Sequence, residues 1–130
     1  QVKRYIKIFN KELKIFKKKP IIGICGLSYK ENTLVNTKSP ALEIYKKLSK
    51  KFKVIFHDTN IPDDFNKKNF YINSKTFFDK SNIIFVCYKN NKFQKLAKYK
   101  VKQKKVIIDI WNFIETNRKN IIIRKIGISK

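Results

Sequence analysis

Glycine is scarce in this chain, with three in 130 residues. Gly23 and Gly26 stand three apart, so the GxGxxG spacing that lets a backbone close on a dinucleotide is missing, and so is GxxxxGK[ST]. Histidine is rarer still, with His57 alone, and the two cysteines, Cys25 and Cys87, have no paired spacing. Together these leave no metal signature. Both cysteines sit inside apolar runs, which fits reduced, buried small hydrophobes in a cytoplasmic protein better than a disulfide framework. No apolar run approaches the length of a membrane span. The opening QVKRYIKIFN lacks the uninterrupted apolar stretch of a signal peptide and is expected to be cut from something longer.

Acidic residues number nine against 32 basic ones, for a net charge of +23. Such a field holds anions near the surface and makes nucleic acid the first partner to consider. Arginine, however, stands only at Arg4, Arg118 and Arg124, whereas recognition of bases or phosphates often uses more arginine forks. Lysine, asparagine and isoleucine make up about half the chain, and all three have AT-rich codons. Compositional bias therefore accounts for the charge without a specific nucleic-acid partner, although non-specific polyanion binding at low salt is expected either way. The 42% hydrophobic content argues against wholesale disorder, and the length suits one domain with a real core.

Val2, Tyr5, Ile6, Phe9, Leu13 and Phe16 recur at helical spacing, and Pro20 closes that segment. Residues 21–25 (IIGIC) read as a buried strand. Residues 39–50 read as a helix that Ser39 can cap and Pro40 can open. Strands are expected at 53–57, 82–88 and 105–111, with a short, less buried one at 69–73 and a last one at 121–128. Residues 74–81 are helical at best, and 91–99 form a short helix. Near-continuous isoleucine and valine runs alternating with helical segments predict an α/β fold: an open, three-layer, Rossmann-like sheet, mostly parallel, of five to six strands with helices on both faces. Ligands of such sheets sit beyond the carboxyl ends of the strands. The positions to watch are then 26–38, 57–60, 88–92 and 109–113.

The loop after the first strand runs from Gly26 to about Thr37 or Lys38, longer than the usual few residues of a strand-to-helix link. A ligand-binding loop and a surface insertion both fit. Lys30, near the strand end, is the best candidate anion contact. Asp58 and Asp109 each end a strand. Asp58 fits a turn or cap residue better than a ribose ligand, because the glycine turn is absent. Asp109 lies beside Trp111 and Asn112, which could make a polar corner with an aromatic wall. His57 reads as a hydrogen-bonded edge residue. No catalytic constellation is present: there is no serine elbow, and neither cysteine has a neighbouring histidine.

Residues 23–48, GICGLSYKENTLVNTKSPALEIYKKL, resemble the opening of the C-terminal domain of the UDP-glucose/GDP-mannose dehydrogenases, the NAD-dependent nucleotide-sugar dehydrogenases. That domain begins with a strand, Gly-Leu-Ala-Phe-Lys, a Thr-Asp-Asp-x-Arg loop and Ser-Pro at the helix start. Gly26, Leu27, Ser28, Tyr29 and Lys30 match the first part, and Thr33, Ser39 and Pro40 match at the right spacing. VIFHD, FFDKSNIIFVCYKNNKFQKL and KVIIDIWNF match later segments in order, so that the resemblance covers about residues 3–128. It implies a lead-in helix (1–19) from a missing central domain and a UDP-sugar-binding domain (20–130).

The resemblance further implies UDP contacts by Gly26, Leu27, Tyr29, Lys30 and Trp111, and cofactor contacts by Thr33, Thr37 and Lys38. NAD itself is held mainly by domains absent here. The family's nucleophilic cysteine also lies in those domains, and neither Cys25 nor Cys87 matches it. The parent would be a homodimer that oxidises the C6 hydroxyl of a UDP-sugar to a carboxylate, and this chain alone would be an inactive monomer. There are departures. Leu34 and Val35 replace the loop aspartates, and family arginines fall at Thr37 and Trp111. A tryptophan can stack on uracil but cannot neutralise charge; Lys38 could supply charge instead. A degenerate nucleotide-binding or assembly domain without a catalytic role and a basic nucleic-acid-binding module are the alternative readings.

Overall fold

A computed structural model describes residues 2–27, 40–61 and 68–126. Five parallel strands, β1 (Ile22–Cys25), β2 (Val54–His57), β3 (Ile83–Val86), β4 (Lys105–Asp109) and β5 (Ile121–Lys125), form one sheet in the order β2-β1-β3-β4-β5. The helices are α1 (Val2–Glu12), α2 (Pro40–Leu48) and α3 (Ser74–Lys80), joined by a 3-10 segment, Asn91–Ala97, where a short helix was expected. Residues 69–73 supply only an isolated bridge, Phe70 beside Phe56. Asn69 turns into the left-handed region (φ 67°) just before it. Asn73 just after it caps α3, accepting from Thr76 N at 2.9 Å. No length is left for a strand.

Alternate residues of each strand face opposite layers. Ile22, Ile24, Val54, Phe56, Ile83, Phe85, Val106 and Ile108 meet α1 and α2 through Phe9, Ala41, Ile44 and Leu48. Cys25, Ile55, Ile84, Val86 and Ile107 meet α3 and the 3-10 segment through Phe77, Phe78, Phe93 and Leu96. Gly23 allows the second layer its close approach: a Cβ there would lie 2.6 Å from Cζ of Phe77. Phe9 of α1 is fully buried, edge-on to Phe52 at 5.2 Å, and Glu12 at the end of that helix accepts from Arg124 Nε of β5 at 2.9 Å. The first helix is thus packed into this chain's own core.

Two buried polar side chains join the layers. Lys105 opens β4 and lays its ammonium on the end of α3, donating to the carbonyls of Phe78 (2.8 Å), Asp79 (3.3 Å) and Ser81 (2.5 Å). These are carbonyls at the C-terminal end of the helix, where a cation also complements the dipole. His57 stacks on Phe77 at 5.3 Å, with Nδ1 2.7 Å from the Tyr71 carbonyl. The carbonyl can only accept, so Nδ1 carries the proton. Burial lowers the pKa of His57 below its ordinary 6.5, against the opposing pull of that hydrogen bond and of Asp58.

Two outcomes are expected. Lys105→Met strands helix-end carbonyls and should cost about 1–3 kcal/mol, read as a lower urea midpoint at unchanged slope. For His57, the folded pKa lies below the unfolded one, so the unfolded chain binds more protons between the two values. The histidine's contribution to stability is full above 6.5 and is lost as pH falls through the folded value. The urea midpoint should therefore drop between about pH 7.5 and about pH 5 by more in the wild type than in His57→Gln. Equal slopes in the two proteins would show that this histidine does not set the acid sensitivity.

Candidate functional site

The strand order reverses direction between β1 and β3, the place where ligands of such sheets bind. Gly26 and Leu27 follow β1 there, and Cys87 and Tyr88 follow β3. The backbone ties these two exits together, Cys87 N donating to Cys25 O at 2.8 Å, and ties the β1 exit to the end of β2, Gly26 N donating to His57 O at 2.9 Å. Gly26 takes φ 89°, a conformation that favours glycine, and a Cβ on it would meet the Tyr88 ring at 2.9 Å. The chain can therefore turn off β1 here only without a side chain, beneath an aromatic lid.

Asp58 fastens this turn. One carboxylate oxygen accepts from Leu27 N at 2.9 Å, the other from Thr59 N at 2.7 Å, and the Tyr88 hydroxyl approaches at 3.2 Å. Burial raises the Asp58 pKa, while the hydrogen bonds from Leu27, Thr59 and Tyr88 pull it back down. The ends of β1, β2 and β3 are thus held by one carboxylate. The same arrangement bears on a nicotinamide cofactor. An acid after the second strand would have to offer an oxygen to a ribose hydroxyl, and both oxygens of Asp58 are already engaged. With no glycine-rich turn either, the described residues do not fit a dinucleotide at this edge.

The third exit, after β4, is built by Asp109. Its fully buried carboxylate accepts from Trp111 N (3.1 Å), Phe113 N (2.7 Å) and Ile114 N (2.6 Å), folding the chain into a corner. Trp111 is pinned twice, by that backbone bond and by its indole N–H donating to Cys87 O at 2.9 Å, yet the residue is 53% exposed. A rigid aromatic surface is thereby presented beside the switch point. Next to it Asn112 adopts φ 58°. Its side-chain oxygen is shielded from solvent and has no partner among the described residues. The expected polar corner with an aromatic wall is present.

Gly26 and Leu27 stand at the end of β1 and Trp111 after β4, with β3 between them and the indole N–H reaching Cys87 at its end, whereas Tyr29, Lys30, Thr33, Thr37 and Lys38 lie outside the described residues. Cys25 and Cys87 are buried, and burial raises both thiol pKa values well above the ordinary range, which makes them poor nucleophiles. His57 borders a separate cleft of about 300 Å³ with Thr59, Lys92 and Lys95. Tyr88, as lid over Gly26 and partner of Asp58, was not recognised from sequence. The available signal was a bulky aromatic at the exit of the central strand, opposite a glycine at the exit of its neighbour. Among the described residues no group of acids, histidines and cysteines could hold a metal, and no helix is long and apolar enough to cross a membrane.

No curated protein matches the chain significantly. Solved structures do. The chain resembles GDP-mannose dehydrogenase from Pseudomonas aeruginosa at 17% identity and TM-score 0.67, over 95% of this chain and 31% of that one. It resembles UDP-N-acetyl-mannosamine dehydrogenase from Staphylococcus aureus at 16% identity and TM-score 0.73, over 98% and 31%. A UDP-glucose dehydrogenase from Pyrobaculum islandicum gives 14% identity and TM-score 0.72, over 98% and 30%. At these identities the likeness is one of fold, and the chain spans about a third of each of those proteins. The profile of the UDP-glucose/GDP-mannose dehydrogenase family, UDP binding domain, matches residues 23–116, from β1 through the Asp109 corner, and the chain belongs to that family.

Proposed function

We propose that this chain is the nucleotide-sugar-binding unit of an NAD-dependent UDP-sugar 6-dehydrogenase. The observation that carries the reading is the family match over residues 23–116, which spans both the Gly26 turn and the Trp111 corner. Tyr29 and Lys30 leave that turn to hold UDP, and the Lys30 ammonium offsets diphosphate charge as a flexible donor. Gly26 and Leu27 offer backbone at close range, and Trp111 offers a face for uracil. Thr33, Thr37 and Lys38 take the cofactor contacts. Residues 1–19 lead in from a central domain, and residues 20–130 bind the nucleotide.

The other domains carry the nucleophile and bind NAD, which accepts hydride while the C6 hydroxyl becomes a carboxylate. This unit positions the sugar by gripping the part of the substrate that does not react. The parent is a cytoplasmic homodimer, and the 130-residue chain alone is inactive. A second reading, a degenerate assembly domain, draws on Trp111 standing where family members carry an arginine.

The single tryptophan makes the test direct. UDP should quench Trp111 fluorescence saturably at about 0.15 M salt, and UMP should bind more weakly. Lys30→Ala should weaken UDP about tenfold or more, the loss of one charge-assisted hydrogen bond of about 1.5–3 kcal/mol. No saturable quench, or equal affinity in Lys30→Ala, would favour the degenerate domain. Asp58→Ala unties Leu27 and Tyr88, and should lower both stability, by about 1–3 kcal/mol, and UDP affinity. Asp58→Asn, which keeps an acceptor, should lose less of each by the same two measurements. Should UDP affinity stay put in a clearly destabilised Asp58→Ala, the turn would not be part of the site.

A further inference from the structure

The amino ends of the strands lie at the edge opposite the candidate site. Two clefts open there, of about 680 and 320 Å³, and they share Asn82, Gln103 and Lys104. Lys17, Lys18, Lys19, Lys102 and Lys104 line them and are all exposed. Phe16, Ile21 and Val101 provide half-buried apolar surface between the cations. Lys53, also exposed, stands at the same edge, where its carbonyl accepts from Ile22 N at 3.0 Å. The groups follow the strand entrances, which lie about 4.8 Å apart, so they form a row across the sheet.

Carboxylates do not balance this row. Asp79 is the one that borders the clefts among the described residues, and Lys75 holds it at 2.7 Å. Glu12 and Glu115 are paired with Arg124 and Lys125. Asp58 and Asp109 serve backbone N–H groups at the opposite edge. Compositional bias explains how many lysines the chain has. It does not explain their meeting in one concave, partly apolar strip with no free carboxylate among the described residues.

We propose that this amino edge seats a single strand of nucleic acid through its phosphate backbone, without reading base sequence. The lysines meet phosphates. The apolar patches and the Gln103 and Asn82 amides suit sugars and base edges, which a plain phosphate chain or an acidic polypeptide lacks. The Asn82 side-chain oxygen accepts from Ile21 N at 2.8 Å, so it is the amide nitrogen that remains to donate. The site does not depend on the UDP reading, because the two lie at opposite ends of the strands.

The test is fluorescence anisotropy of the 130-residue chain with labelled oligothymidine of about fifteen residues, at about 0.15 M salt. Lys17→Ala/Lys18→Ala/Lys19→Ala/Lys104→Ala should weaken binding about tenfold or more. It should also flatten the slope of log affinity against log salt by about 3, at about 0.7 per single-strand phosphate contact. Lys3→Ala/Lys7→Ala/Lys92→Ala/Lys95→Ala removes the same charge elsewhere and should stay within about threefold. All eight side chains are exposed, and unchanged circular dichroism checks the fold. The double variant Lys18→Ala/Lys104→Ala should show a smaller loss in the same direction. Equal losses in the two quadruple variants would mean diffuse attraction and overturn the proposal. So would polyphosphate or polyglutamate of matched charge binding as tightly as the oligonucleotide.

Discussion

Four of the five strands are closed to water on both faces, and only β5 opens toward solvent. This double burial constrains the rest of the molecule. A strand with two apolar neighbours has no side chain to spare for chemistry, so polar groups collect where strands begin and end. It also explains why the runs are so rich in isoleucine, and why one of the few glycines sits at Gly23, where the aromatic layer of α3 presses on β1. The polar residues that remain buried join elements: Lys105 joins β4 to α3, and His57 joins the end of β2 to the segment around Tyr71.

The carboxyl edge uses its acids on itself. Parallel strands leave their N–H groups exposed as the chain turns into the next crossover, and Asp58 and Asp109 accept five such groups between them, at Leu27, Thr59, Trp111, Phe113 and Ile114. N–H groups engaged in this way are not available to an anionic ligand, so its charge must be met by side chains. Among the described residues the edge also supplies no free carboxylate to a ribose. What it presents instead is a glycine turn and a fixed indole.

The sheet was legible because β-branched runs between short amphipathic segments admit few other arrangements. The first helix was legible because its apolar stripe spans three turns. The bridge at Phe70 and the 3-10 segment Asn91–Ala97 were less so. Each is a few residues long and is shaped by asparagines, Asn69 and Asn73 in one case and Asn90 in the other, whose capping and left-handed geometry outweigh propensity. At the site, Gly26 and Trp111 could be found by position after a strand. The triangle of Asp58, Leu27 and Tyr88 could not, since its members are about thirty residues apart and meet only once the order β2-β1-β3 is known. Lys105 was hidden for another reason: among so many lysines, nothing local marks the one that is buried.

Trp111 poses the sharper question for the proposed function. An arginine at that corner would offer a diphosphate a directed, two-pronged contact, whereas tryptophan offers area and rigidity. The chain's +23 charge can make up part of the difference. A field of that size raises the local concentration of any polyanion and so speeds encounter. It is nevertheless screened within about 8 Å at physiological salt and has no direction at the scale of a phosphate oxygen. Attraction can therefore come from the whole surface, but orientation must come from fixed groups. Under the proposed function, the indole locked to Cys87 by its N–H would fix the plane of the base, and Lys30 would meet the charge. On that division tryptophan in place of arginine would alter how the nucleotide is held more than whether it is drawn in.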